Sequence, residues 1–567
     1  MDQQTKQATP LMKKLGFALL LFLCIFIPFR TPLANLTFEA IKVIPDILIL
    51  ALAVWYVIHI RFRLKFKAQD FIFIGFILFA LVSTVFINKL SFTLVIHQTR
   101  SIGIFYILYF IIRNFGYGKR ELNLLCGTLQ IVSLPLFILG LVEKITVKTA
   151  LFDAAFIVNL YASNLSRVYS MFHNPNTYGL FLVFVITLSL WLKLRFGRKT
   201  PLWMYVTLFT ALYMTMSRSS ILILIPVLAV FFIYALRRHK LLWKKLVVSI
   251  LVIAIAAVGI ETVSAKLSEV YYEKIGEQLL WKEVAKLSEN QQLRVVKTVY
   301  INPKGEECVG YIFDDITYID KECITPLSEV GSIVFTRTKQ FILTVNGGML
   351  LDEFNSLDPA TQNALLDGKG DRINSYRDNV LIQNVHESFK TNTADRFGAL
   401  TDDKMFSSEG NMRLYSIEMA FKIATEYPIF GSGFGTYGSS AALTWDPPTY
   451  TKYRLPTYFY ADNQYATVIA ETGFVGIAIF LAFLAVVLIQ QRKDLFKFIC
   501  CVIIGWFGIF YNVLEIQIGA FLLWTMLAMN SDESVHIKDI FKKEDAPTDE
   551  LDGGFRAYLT DTVAYFK

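Results

Sequence analysis

Charge is what this sequence has least of for its length. Lys, Arg, Asp and Glu make up 18% of 567 residues against 54% hydrophobic, and the mean hydropathy is +0.47. Soluble globular chains carry about a quarter charged residues, so the shortfall excludes an ordinary soluble domain and makes lipid the solvent. Cysteine is sparse as well. The six cysteines are divided between apolar runs (Cys24, Cys126, Cys500, Cys501) and a polar stretch (Cys308, Cys323), without CxxC or Cys/His ligand spacing, which argues against a metal site. A cleavable leader is missing too. The first apolar run, 15–29, lacks a small-residue cleavage site and a second run follows closely, so it reads as the first span.

What is present agrees with lipid. Phe occurs 48 times and Tyr 27, as expected where apolar rings face acyl chains and hydroxylated rings sit at the interface. The net charge of +8 does not indicate nucleic acid, because lysines and arginines lie in short clusters between apolar runs rather than on one domain.

A window of about 19 residues, enough helix to cross roughly 30 Å of hydrocarbon, picks out about twelve apolar runs. They are 15–29, 41–60, 70–88, 95–112, 122–142, 177–193, 201–216, 220–236, 242–260, 464–490, 495–511 and 513–529. Alternate loops are basic: Arg61, Arg63, Lys65 and Lys67; Arg113, Lys119 and Arg120; Lys193, Arg195, Arg198 and Lys199; Arg237, Arg238, Lys240, Lys244 and Lys245; Arg492, Lys493 and Lys497. The positive-inside rule makes these loops and both termini cytoplasmic and the intervening loops external. The expected fold class is therefore an all-α polytopic membrane protein of about twelve transmembrane helices, with a large extracytoplasmic loop between spans nine and ten. Four regions follow: a membrane domain over 1–260, a loop domain over 261–463, a second membrane domain over 464–529, and a cytoplasmic tail over 530–567. The mixed charges of KKEDAPTDELDGG make that tail read as solvated and flexible.

Inside the loop, LRVVKTVYI and VGYIFDDITYI flank the turn-rich NPKGEEC, and GSIVFTRTKQFILTV follows, so an insert with β-structure is expected near 290–350. Cys308 and Cys323 flank one of these strands, and a disulfide or two free thiols both fit. From 411 to 427 the apolar spacing turns helical until Pro428 and the glycines of FGSGFGTYGSS stop it, the pattern of a short interfacial helix.

Four places on the expected outer face combine charge with turn residues. In RVYSMFHNPNTYGL, Arg167 and His173 precede an Asn-Pro-Asn turn whose plain reading is a helix N-cap. In MTMSRSSIL, Arg218 stands in a tight turn, where it is either a snorkelling anchor or a charge held over the bundle. Arg413 opens the interfacial helix and reads by itself as a solvated face. In YADNQYATVIAETGFVG, Asp462 and Asn463 precede span ten, with Asp462 either an N-cap or a chemical group, and Glu471 lies about two turns inside. Guanidinium forks bind phosphate oxygens and neutralise a diphosphate leaving group, and a nearby carboxylate takes a proton from an attacking hydroxyl. Such a set suits an anionic lipid substrate. FGSGFGTYG has dinucleotide-like spacing but follows a helix rather than a strand, so it is discounted as a nucleotide site.

Four segments in this order, RVYSMFHNPNTYG, MTMSRSS, MRLYSIEMAFKIATEYPIFGSGFGTY and DNQYATVIAETGFVG, resemble the O-antigen ligase and O-antigen polymerase superfamily of membrane glycosyltransferases. The resemblance covers roughly 160–240 and 410–490 and implies that Arg167, Arg218 and Arg413 hold an undecaprenyl diphosphate. It implies further that Asn463 is substrate-binding, that Asp462 is the catalytic base, and that neither metal nor cofactor takes part. Ligases of the superfamily carry histidine where this chain has Asp462, and polymerases are often acidic there. The resemblance therefore implies first a bacterial inner-membrane polymerase of lipid-linked repeat units, working beside a flippase and a chain-length regulator. A ligase moving finished glycan to a lipid-A core or another acceptor is the alternative. A lipid-linked sugar transporter is a further one, disfavoured because no repeat relates the two halves and the charges gather at one face.

Overall fold

The computed structural model describes residues 8–61, 64–146, 167–172, 174–238, 242–271, 412–529 apart from 446, 454 and 456–458, and 555–566. Between 272 and 411 it describes five strands and residues 356, 358, 359 and 361. The helices in chain order are α1 (Pro10–Leu36), α2 (Ile44–His59), α3 (Ala68–Leu81), α4 (Phe92–Ile112), α5 (Lys119–Thr146), α6 (Pro175–Phe196), α7 (Leu202–Met214), α8 (Arg218–Arg238), α9 (Leu242–Tyr271), α10 (Met412–Glu426), α11 (Ser440–Trp445), α12 (Pro448–Tyr453), α13 (Gln464–Gln491), α14 (Leu495–Gly508), α15 (Gln517–Ala528) and α16 (Phe555–Phe566). Among the described residues nine helices are long and apolar enough to cross a membrane, and α7, α14 and α15 are apolar but shorter. Together they match the apolar runs of the sequence, so the chain is a polytopic helical membrane protein.

Local chemistry sets the helix ends. Asn174 caps α6 by accepting from Asn176 N at 2.8 Å, Pro175 takes the first helical position, and Gly197 (φ 64) closes the helix behind Lys193 and Arg195. The Asn-Pro-Asn turn is thus a cap. α9 runs on to Tyr271, past the expected boundary at 260, because 261–271 contain neither Gly nor Pro to stop a helix already started.

The chain divides into two compact units, one of residues 1–137, 174–257 and 397–567, the other of 138–173 and 258–396. In the first, α13 packs on α3 and α10, α15 on α4, and α6 on α7 and α8. Two arginines from basic loops are turned inward here. Arg113 pairs with Asp70 at 2.6 Å, and Arg198 donates to Asn123 Oδ1 at 2.6 Å and Gln130 Oε1 at 2.9 Å.

The glycine-rich loop after α10 is a structural joint. At Gly473 (φ 67, ψ −169) α13 leaves helical geometry, so Phe474 N donates to Pro428 O at 2.8 Å, while Ala470 O and Glu471 O accept from Ser432 N at 2.9 Å and Gly433 N at 3.0 Å. A π-helical turn over Val82–Ile87 grips the other side, with Ser83 Oγ donating to Phe430 O at 2.5 Å and Thr84 Oγ1 accepting from Phe434 N at 2.6 Å. Three of the backbone groups freed by this break thus find protein partners, which limits the cost of interrupting an apolar helix. A Cβ on Gly431 (φ +69) would lie 2.4 Å from the Glu471 carbonyl carbon. Gly431→Ala is therefore expected to cost ~2 kcal/mol or more, read as a lowered melting temperature of the detergent-purified chain; an unchanged melt would contradict this joint.

Part of the tail, expected to be solvated and flexible, is a packed helix. Helix α16 packs on α1 and α5: the rings of Phe17 and Tyr565 lie 5.0 Å apart, and Thr128 Oγ1 and Tyr558 Oη share a hydrogen bond of 2.9 Å. Its apolar residues recur at helical spacing in FRAYLTDTVAYF, a signal hidden behind the charged stretch before it. Lys14 at the start of α1 donates to Phe566 O at 3.4 Å, so the last described turn of α16 sits beside the first turn of α1.

In the second unit, five strands, β1 (Val295–Ile301), β2 (Glu307–Phe313), β3 (Ile316–Ile319), β4 (Phe341–Thr344) and β5 (Gly347–Leu350), form one sheet in the order β3-β2-β1-β4-β5. β1 and β2 are antiparallel with Tyr300 opposite Cys308, and β1 and β4 are parallel. The expected β-structured insert is present; the pairing of Cys308 with Cys323 falls outside the described side chains. Glu143 in α5 accepts from Ser170 N at 2.7 Å and Tyr169 N at 3.2 Å, and the next residue, Lys144, faces Glu261 at 4.0 Å.

Candidate active site

Three of the residues singled out in the sequence meet in the first unit. Arg413 stands on the first turn of α10, where its Nη2 donates to Tyr511 Oη at 2.7 Å and its Nε lies 3.9 Å from Asp462 Oδ2. The guanidinium carbon is 5.3 Å from the Tyr511 ring centre and 5.7 Å from that of Phe510, cation–π distances that fix its plane. Arg218 is the first residue of α8, close enough to Arg413 and Tyr511 for both to act on its charge. The turn that presents it is built from small polar residues. Met216 takes φ 49, Ser217 Oγ bonds Ser220 Oγ at 2.7 Å, and Trp506 Nε1 donates to Ser219 O at 2.9 Å. A Cβ on Gly179 would lie 2.2 Å from Ser220 Oγ, so the glycine lets α6 approach this turn.

Asp462 and Asn463 take different roles. Asn463 is the N-cap of α13: its Oδ1 accepts from Ala466 N at 2.9 Å, and its Nδ2 donates to Ile509 O at 2.9 Å. Both ends of this amide are engaged within the chain. The cap position is therefore filled, and Asp462 keeps its carboxylate for another use. Its side chain is 35% exposed, like that of Arg413. Burial of the remainder pushes the carboxyl up to about 6, with Arg413 pulling the other way. A carboxyl titrating near neutrality, facing a guanidinium and reachable from solvent, is suited to take and return a proton.

Arg167 lies in the second unit. It is buried, on the extended stretch leading to Ser170 (φ 54), whose N–H is held by Glu143. His173 lies outside the described residues. Glu471 is fully buried, and its Oε1 accepts from Tyr437 N at 3.0 Å, so it braces the glycine joint.

Residues 373–481 match the family described as O-antigen ligase. This segment is similar to that family. No curated protein and no solved structure matches the chain. The segment contains Arg413, Asp462 and Asn463, while Arg167 and Arg218 lie before it. With the apolar helices, it supports a multi-pass membrane protein of the O-antigen ligase and polymerase superfamily, with ligase- or polymerase-like function in surface polysaccharide synthesis. The family implies glycosyl transfer on lipid-linked glycans.

The site also contains residues without an evident sequence signal of their own, with one exception. Tyr511 orients Arg413. Glu515 accepts from Gln98 Nε2 at 2.7 Å and from Ser440 N at 2.9 Å, and Asn512 ties Thr467 to Gly438. Desolvation, with Glu515 and Asp462 beside it, pushes the phenol of Tyr460 up, which keeps it protonated. Glu515 carried a usable signal, an acid inside the apolar run FYNVLEIQIGAFLLW.

Proposed function

We propose that this chain is a polymerase. It joins undecaprenyl-diphosphate-linked oligosaccharide repeat units into a surface polysaccharide on the outer face of the bacterial cytoplasmic membrane. The single observation that carries the reading is Asp462. It is relieved of capping by Asn463, faces Arg413 at 3.9 Å, and titrates at about 6 where ligases of the superfamily carry histidine. The positive-inside pattern puts this end of the bundle outside.

In the proposed reaction Asp462 accepts the proton of an acceptor sugar hydroxyl, and that oxygen attacks the anomeric carbon of the donor's reducing sugar. The bond from that carbon to the diphosphate oxygen breaks, and its electron pair leaves with undecaprenyl diphosphate. Arg218 and Arg413 stabilise the negative charge developing on the leaving diphosphate; for Arg167 the same role rests on the superfamily resemblance alone. Asn463 acts by setting the start of α13 and so the position of Asp462. The residues given these roles supply acid–base and electrostatic catalysis by themselves. A flippase delivering repeat units and a chain-length regulator are the partners this activity calls for.

The description of the matched family favours a second reading, a ligase that moves finished glycan to a lipid-A core or another acceptor. The break in α13 at Gly473 is what a transporter would show, but its backbone groups are taken up by the glycine joint. The glycan profile of a deletion strain separates these readings. A single repeat unit on an otherwise normal acceptor is the expected result. Long chains accumulated on the undecaprenyl carrier would establish the ligase instead, and single units retained on the inner leaflet the transporter.

A further inference from the structure

A second group of charges stands at the same end of the first unit and is not used by the proposed base or its arginines. Asp46 opens α2, Arg30 lies near the far end of α1, and His97 and Arg100 lie on the first turns of α4. Arg100 Nε donates to Asp46 Oδ2 at 2.6 Å. Arg30 is within electrostatic reach of both Asp46 and Arg100, and His97 of Arg100. An ion pair that merely fastened α2 to α4 would need one arginine for one carboxylate. Here a second arginine and a histidine stand beside the pair, half-buried. Arg30 Nε, His97 Nδ1 and Asp46 Oδ1 are buried and have no hydrogen-bond partner among the described residues. Excess positive charge within a membrane span is costly unless an anion meets it. At a membrane surface the anion available to half-exposed guanidinium groups is a lipid phosphate.

The position of this cluster narrows the ligand further. Gln98, next to His97, donates to Glu515 Oε1 at 2.7 Å, and Ser101 Oγ bonds Ser440 Oγ at 2.9 Å. Ser440 N donates to Glu515 Oε2 at 2.9 Å, and Glu515 and Asp462 both act on Tyr460. The same turns of α4 that carry His97 and Arg100 thus also carry Gln98 and Ser101, whose contacts lead through Ser440 and Glu515 toward Tyr460 and Asp462. Polymerisation joins two lipid-linked units, so it requires two diphosphates, one on each side of the base.

We propose that Arg30, Arg100 and His97 form the subsite for the diphosphate of the acceptor lipid, an inference that rests on the polymerase reading. The test uses the full-length chain in nanodiscs of neutral phospholipid, with undecaprenyl diphosphate as the probe and native mass spectrometry counting bound molecules. Wild type is expected to bind two. Arg30→Gln/His97→Asn should bind one, as should Arg218→Gln/Arg413→Gln, while Arg30→Lys, which keeps the charge, should retain two. Two molecules on the Arg30→Gln/His97→Asn chain, or one molecule on wild type that only the Arg218/Arg413 variant loses, would overturn the acceptor subsite and leave the polymerase reading standing. Displacement of the second molecule by phosphatidylglycerol would also overturn it, identifying a general headgroup site. Two molecules retained on the Arg218/Arg413 variant would instead refute the donor assignment, and no binding to wild type would refute both.

Discussion

Asp462→Asn is expected to slow glycan extension by ~10²–10⁴-fold, the range that a positioned general base contributes, without impairing folding. The amide has the carboxylate's shape but cannot accept the proton of the attacking hydroxyl. Folding is spared because Asn463, rather than Asp462, caps α13. The pH profile adds a second readout. Burial raises this carboxyl from 3.8 to about 6, so the ionised, working form is scarce at pH 5 and dominant at pH 7. Wild-type rate should therefore climb through pH 6 and level off above it, and the residual rate of the variant should lose that limb. Linkage gives a stability effect of defined sign: with a folded value above the unfolded one, this group favours folding below about pH 4 and loses that contribution as pH rises through 6. Asn removes the dependence. Near-normal extension by a folded Asp462→Asn chain would remove Asp462 from the chemistry.

Arg413→Ala carries the second large expectation, a loss of ~10²–10³-fold, the usual effect of deleting one donor that stabilises a developing oxyanion. Two further consequences distinguish this from simple damage. Arg413 is the charge that holds the Asp462 carboxyl down, so its removal should move the acid limb of the rate to higher pH. Arg413→Lys should keep the limb near its wild-type position yet recover little rate, because an ammonium lacks the planar fork that grips two phosphate oxygens. An acid limb that stays in place in Arg413→Ala would contradict the coupling seen at 3.9 Å.

Much of the fold was legible because lipid writes a strong signal: runs of nearly twenty apolar residues with basic loops between them leave little freedom in placing helices. The helix Met412–Glu426 and the β-structured insert were also readable from periodicity and turn residues. What the sequence concealed depends on long-range partners. The π turn at Val82–Ile87 and the break at Gly473 exist because a glycine loop more than 300 residues beyond the former inserts between them, with bonds such as Ser83 to Phe430. Helix α16 is hidden by the charged stretch ahead of it, which dominates the composition of the tail.

The candidate site was half legible. Arg218, Arg413 and Asp462 announced themselves through turn chemistry and motif order, and they converge. The division of work between Asp462 and Asn463 was not readable, because either residue suits an N-cap and only geometry shows which one fills it. Tyr511 and Glu515 stand inside an apolar run, where the hydrophobic average masks single polar residues.

A polymerase of this kind extends lipid-linked glycan without a second protein, and reconstitution reads that out. The purified chain in proteoliposomes, given undecaprenyl-diphosphate-linked repeat unit as sole substrate, is expected to produce a ladder of longer lipid-linked glycans. One undecaprenyl diphosphate should be released for each unit added. Absence of any ladder, together with transfer of pre-formed glycan to an added acceptor, would contradict the account.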